Sequence, residues 1–212
     1  MSNPLPNATT DYPAFEQNEK GHWALHYAVM KGDPERVRRY VNERGHPVDA
    51  QDFDQNTALH WAIWNRRVDA ALALLEVGAN PDIANHKGHT ALHHLFAKIE
   101  RGQDQILLDA LLDHHANGLA QDKQGNTPYH MLALGSFRSA QAASALADTM
   151  CRRVGLEGWR TVNHAGQTPI ECARSQGDDH WMLGFVAAVE NAVLETATAP
   201  AAATRAPGRG RL

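Results

Sequence analysis

"DFDQNTALHWAIWNRRVDAALALLEVGANPDIA", Asp52 to Ala84, is the stretch that decides the fold. It holds two apolar runs, "ALHWAIW" (58–64) and "DAALALL" (69–75), each flanked by polar or turn-forming residues. Thr57 stands just before the first run, where its hydroxyl can accept a free backbone N–H of a starting helix. Gly78 follows the second run and suits the left-handed residue that closes a helix. The stretch therefore reads as turn, short helix, turn, longer helix, turn.

The same letters recur along the chain. "KGHWALHYAV" (20–29), "DQNTALHWAI" (54–63), "KGHTALHHLF" (87–96), "QGNTPYHMLA" (124–133) and "AGQTPIECAR" (165–174) align on His26, His60, His93, His130 and Glu171, which stand 34, 33, 37 and 41 residues apart. An Asn or Asp heads each turn: Asn18, Asp52, Asn85, Asp122 and Asn163. Thr57, Thr90, Thr127 and Thr168 hold the N-cap position, and Pro128 and Pro169 follow at N1, where proline is tolerated. Leu25, Leu59, Leu92, Tyr129 and Ile170 share one inward-facing position. "RVRRYV" (36–41) and "DQILLDALL" (104–112) match "DAALALL" as second helices, and Gly45 matches Gly78.

A period near 33 with "T-A/P-L-H-x-A" and "LL-x-x-GA-x-x-D" resembles the ankyrin repeat. The resemblance runs over roughly residues 18–190 and implies an all-α solenoid of about five helix-turn-helix units with hairpin tips. Three departures stand out. Trp23 replaces the threonine in unit one, units three and four are longer, and Glu171 replaces the histidine in unit five. The extra residues are placed at 98–105 and 135–159, between the two helices or in the second helix. A long last helix over 178–195 is expected to cap the array. The domain layout is then a flexible lead at 1–15, the repeat domain at 16–195, and a disordered tail rich in Ala, Pro and Arg at 196–212.

Bulk composition narrows the function. The 212 residues are 43% apolar and 21% charged, with a net charge of −4. That balance argues against a nucleic-acid binder, which needs a strong basic patch. No stretch is apolar enough for a membrane span, and the first residues carry no secretory pattern. Two cysteines, Cys151 and Cys172, with no C-x-x-C pair, suit a reduced cytoplasmic protein, though a disulfide between them stays open.

"HKGHTALHH" (86–94) packs four histidines into nine residues, a pattern that raises a metal or a catalytic base. The repeat divides them. His26, His60, His93 and His130 share one position, and the resemblance implies a structural role for them, bonding into the adjoining turn and the threonine. Stacked helices lie roughly 8–10 Å apart, too far for two such rings to share a metal at about 2 Å. His94 falls in a bulky column with Tyr27, Trp61, Met131 and Cys172, which reads as packing. His89 precedes the helix that starts after Thr90, so it is not expected to share a helical face with His93. No metal site and no cofactor are expected.

The turn tips vary in charge and size while the frame repeats. One tip column reads Glu19, Phe53, His86, Lys123, His164, and another His22, Asn56, His89, Asn126, Gln167. Variable tips on a rigid array suit a recognition surface, or alternatively unconstrained drift at solvent-facing positions. Asp54 and Lys87 belong to the same tips, and Met30, Trp64, Asn65 and Lys98 end the first helices on that side. Trp64 is either an interface anchor, with Phe53 beside it, or a cover for the next unit's helix. Trp159 and Trp181 read as core, and the stretch around Phe137 and "CRRVG" (151–155) as a second contact region or a longer helix.

No nucleophile elbow, phosphate loop or dinucleotide fingerprint occurs. Asp178 and Asp179, beside His180, suit a helix start. Cys151 beside Arg152 and Arg153 raises the idea of a lowered thiol pKa, but no histidine is placed to act with it. The expectation is a monomeric, non-enzymatic module that binds another protein through tips and first helices. It serves as an adaptor or as an inhibitor of immunity type that blocks a partner enzyme or toxin. A metal-binding or catalytic role for the histidines is the weakest alternative.

Overall fold

A computed structural model describes residues 23–97, 103–135 and 140–175. The lead at 1–15, the last helix at 178–195 and the tail at 196–212 lie outside these residues, as do Asn18, Glu19, His22, Lys98, Phe137, Trp181 and the Asp178–His180 group.

Helices α1 (Ala24–Lys31) and α2 (Pro34–Asn42) form unit one, and α3 (Ala58–Trp64) and α4 (Val68–Glu76) unit two. Unit three holds α5 (Ala91–Ala97) and α6 (Gln103–Asp113), unit four α7 (Pro128–Leu134) and α8 (Ala140–Arg153), and unit five begins with α9 (Pro169–Arg174). Among the described residues there is no strand, only an isolated bridge between Gln51 and Thr57. The chain is an all-α ankyrin-type solenoid.

Helices of six to eight residues, the length of all five first helices, are marginal alone in water. Stacking holds them. The first helices pack in an inner row, α1 on α3 on α5 on α7 on α9, and the second helices in an outer row, α2 on α4 on α6 on α8. Leu25, Leu59, Leu92 and Tyr129 are at most 1% exposed between the rows. Each such leucine contributes about 2 kcal/mol of burial. Ala28 and Ala62 are fully buried and small enough to let neighbouring helices approach.

Helix ends follow the expected chemistry, with one substitution. Gly45 and Gly78 take left-handed backbone after α2 and α4, and the Ala79 N–H donates to the Leu74 carbonyl at 2.9 Å. In unit three His115 does the same job (φ 61°), and the Ala116 N–H donates to the Leu111 carbonyl at 3.0 Å.

The extra length of unit four becomes a 14-residue α8 and a 3-10 turn at Glu157–Trp159. Trp159, 1% exposed, packs edge-on against Tyr129 with ring centroids 5.2 Å apart. The Tyr129 hydroxyl donates to the Gly155 carbonyl at 2.7 Å. Tyrosine in the inward-facing column therefore reaches across and fastens the inserted turn. Arg66, after α3 with φ 55°, pairs with the buried carboxylate of Asp104 on α6 at 2.9 Å, tying unit two to unit three.

Candidate recognition face

Each of the four described tips is built by its leading Asn or Asp. The Asp52 Oδ1 accepts the backbone N–H groups of Asp54 and Asn56 at 3.0 and 2.8 Å. Asn85 does so for Lys87 and His89, Asp122 for Gln124 and Asn126, and Asn163 for Ala165 and Gln167. The fourth residue of the turn is left-handed: Gly88, Gly125 and Gly166, and Gln55 in unit two. Tips then join tips. The backbone N–H groups of His86, Lys123 and His164 donate to the carbonyls of Asp54, Lys87 and Gln124 at 3.1, 3.1 and 2.9 Å.

The shared histidines join one unit to the next. The His60 Nδ1 accepts the Thr57 backbone N–H at 3.1 Å, which leaves the proton on Nε2, and Nε2 donates to the His89 carbonyl at 2.9 Å. His93 and His130 repeat both contacts, reaching the carbonyls of Asn126 and Gln167. His26 does so with the Trp23 N–H and the Asn56 carbonyl. Among the described residues Glu171 makes the within-unit half, taking the Thr168 N–H at 2.7 Å and its hydroxyl at 2.9 Å. Thr57 and Thr168 cap as expected, their hydroxyls accepting the backbone N–H groups of His60 and Glu171 at 3.5 and 3.3 Å. The Thr127 hydroxyl lies 2.9 Å from the His130 Nδ1. Burial disfavours the charged ring in three of them, pushing His60 and His93 down to about 4 and lowering His130.

Three expectations of exposure are corrected. Asn56, His89 and Asn126 are half-buried, not open tips. The Asn56 Oδ1 accepts from the Asn85 Nδ2 at 2.9 Å, the Asn126 Oδ1 from the Asn163 Nδ2 at 3.0 Å, and the His89 Nε2 lies 3.5 Å from the Asp122 carboxylate. Their side chains form a ladder between units. The same reach lays His89 over His93, the rings parallel with centroids 5.6 Å apart, although His89 precedes the helix.

The column after the shared histidine does more than pack. Trp61 donates its Nε1–H to the Asp52 Oδ2 at 2.8 Å, and the His94 Nε2 accepts from the Asn85 Nδ2 at 3.0 Å. Acceptor Asp faces donor Trp, and donor Asn faces acceptor His. That complementarity is written in the sequence, where it is a signal for these side-chain pairs.

Between units two and three these contacts leave a cleft of about 410 Å³. Trp64, 49% exposed, stands edge-on to His94 at 5.6 Å, and the small side chain of Ala97 sits opposite. His94 also meets the rings of His60 and His89 edge-on at 5.0 and 5.7 Å, and burial pushes it down to about 3. Of the expected partner-contact residues, Asp54, Asn56, Trp64, His86, Lys87 and His89 line this one cleft. Ala97, which like Trp64 ends a first helix on the expected side, also lines it, and Trp61, Asn85, His60 and His94, which sequence reasoning had not placed there, complete it. Phe53 is 68% exposed on its tip but is not a wall of the cleft. Asn65 spends its amide on the Trp61 carbonyl at 2.9 Å, closing α3. Lys123 and Asn126 belong to the next tip, and Met30, half-buried, to the end of α1.

Among the described residues, no three His, Cys, Asp or Glu side chains converge as metal ligands, and no helix is long and apolar enough to cross a membrane. Neither Cys151 nor Cys172 is in a disulfide. Burial raises the Cys151 thiol, contrary to the idea of an activated one, and its sulfur accepts the Trp159 Nε1–H at 3.2 Å.

A family model of ankyrin repeats, three copies, matches residues 7–85. Human SH3 and multiple ankyrin repeat domains protein 2 is 31% identical over 191 residues, 78% of this chain and 10% of that protein. An ankyrin repeat-containing protein of Treponema pallidum is 34% identical over 150 residues, 68% of this chain and 44% of its own length. Mouse inversin is 30% identical over 107 residues, half of this chain and 10% of that protein. The chain thus spans less than half the length of each of these relatives.

Proposed function

We propose that this chain, which belongs to the ankyrin-repeat family, binds a partner protein across its tips and inner helices. Ankyrin repeats are in general protein–protein interaction modules of non-catalytic type. One observation carries the reading to this face. Trp64 remains 49% exposed at the mouth of a cleft whose frame is otherwise bonded from unit to unit. A half-exposed tryptophan on a rigid, pre-formed edge is the kind of side chain that dominates interface energy. Phe53, on the tip beside it, adds exposed aromatic area.

The test is capture of partners by the full chain and by Trp64→Ala and Phe53→Ala. Loss of capture with an unchanged circular dichroism spectrum and unfolding midpoint supports the reading. Retained capture in the double variant sinks it. We read the protein as a cytoplasmic monomer, which light scattering after size exclusion tests.

A further inference from the structure

We infer that the cleft between units two and three takes an acidic segment of the partner: an aliphatic or aromatic side chain enters the cleft, and neighbouring carboxylates meet Lys87 and Lys123. This rests on the reading above and adds the chemistry of the segment.

The cleft supplies the apolar half. Trp64, Trp61 and Ala97 offer apolar surface. The rings of His60 and His94 beside them are neutral at ordinary pH, because burial holds both far below the usual histidine range. The pocket can therefore accept a hydrocarbon or aromatic side chain without stripping water from a fixed charge at its floor.

Charge distribution supplies the other half. Among the described residues on the tips and inner helices of units one to four, the lysines are Lys31, Lys87 and Lys123, and the one well-exposed carboxylate is Asp54. Asp54 already lies 3.9 Å from the His86 Nδ1. The other tip carboxylates are buried at their tasks, Asp52 against Trp61 and Asp122 against His89. Lys87 and Lys123 are exposed, make no ion pair among the described residues, and sit on adjacent tips joined by the 3.1 Å bond from the Lys123 N–H to the Lys87 carbonyl.

The back of the same two units offers no such cations. Outer helices α4 and α6 carry Asp69, Glu76, Asp104, Asp109 and Asp113 and no lysine or arginine, and Glu76 pairs with Arg38, Asp104 with Arg66, and Asp109 and Asp113 with Arg153. On the tips of these two units and the next, the described cations open to an acidic segment are therefore Lys87 and Lys123.

Random peptides displayed on phage, selected against the full chain and then measured singly by fluorescence anisotropy, test this. Expected is enrichment of net-acidic peptides with an aliphatic or aromatic residue. Trp64→Ala and the double change Lys87→Glu, Lys123→Glu should each weaken the enriched peptides about tenfold. Asp69→Lys on the back should leave affinity within about twofold, and Trp64→Phe should restore most of it. Circular dichroism of each variant separates lost binding from lost fold. Enrichment of basic or uncharged peptides, no enrichment, or affinity indifferent to the lysine reversal overturns the inference. So does tighter binding of single-stranded oligothymidylate, which would make the lysines a nucleic-acid contact. If proteins are still captured through Trp64 and Phe53 while the selected peptides are not acidic, the choice of segment fails and the broader function stands.

Discussion

Replacing His93 by leucine, glutamine and glutamate separates the two halves of the contact that joins unit three to unit four. His93 is fully buried. Its Nδ1 takes the Thr90 N–H at 3.2 Å and lies 2.9 Å from the Thr90 hydroxyl, and its Nε2–H donates to the Asn126 carbonyl at 3.0 Å. Leucine keeps the apolar volume but strands the Thr90 N–H and the Asn126 carbonyl away from water. Each stranded group costs about 1–3 kcal/mol. The better burial of leucine returns about 1 kcal/mol, so the net loss should be roughly 1–5 kcal/mol. Glutamine can present an acceptor and a donor, and should lose about 1 kcal/mol. Glutamate can do for Thr90 what Glu171 does for Thr168, but it sets a carboxylate against the Asn126 carbonyl. It must bury a charge or give up its ionisation, so it should lose at least about 3 kcal/mol. The reciprocal change, Glu171→His, touches only the within-unit half and should shift stability by less than about 1 kcal/mol. The assay is urea unfolding followed by circular dichroism, with hydrogen exchange of the Thr90 amide as a local readout. If glutamate matches glutamine, or leucine stays within about 0.5 kcal/mol of the parent, the histidine is not the inter-unit donor and the ladder is misread.

Four further outcomes are expected. Stability should be flat above pH 7 and fall as pH drops from 6.5 towards 4. In that window the unfolded chain takes up protons that His60, His93 (each near 4) and His94 (near 3) refuse in the fold, at on the order of 1–2 kcal/mol each by pH 5. Urea midpoints equal at pH 7.5 and pH 5 would contradict this. Gly158→Ala should lose about 3 kcal/mol or more, because a Cβ there overlaps the Tyr129 ring, which its bond to Gly155 holds in place; an unchanged thermal midpoint would refute the wedge. Asp104→Ala should cost about 3–5 kcal/mol by leaving the Arg66 guanidinium buried without its carboxylate, while an effect under about 1 kcal/mol would mean the pair contributes little. Chelator treatment should leave the thermal midpoint where it was, and a clear drop would reopen the histidine cluster as a metal site.

The fold was legible because each unit states its own turns and caps. Asp52, Thr57, His60 and Gly78 fall in order within one unit, and the bonds that shape its turn and helix start, Asp52 to the Asn56 N–H and the Thr57 N–H to His60, span at most four positions. The site was half legible. Trp64 was singled out from its place at the end of a first helix, and it lines the cleft. Asn56 and Asn126 were read as open tips, and their amide oxygens instead receive bonds from the next unit. His94 was read as packing alone, although the pairing of Asn85 with His94, against Asp52 with Trp61, was there to be noticed.

The sequence by itself determined the repeat, the order of short and long helices, and the tip chemistry, since all of these depend on bonds within about ten residues of chain. The tertiary structure alone decided which side chains stay exposed, which histidine nitrogen keeps its proton, and where the cleft opens. The bonds responsible join residues 29 to 37 positions apart, such as His60 to His89 and His130 to Gln167. They form only when one unit stacks on the next and takes both partners out of water.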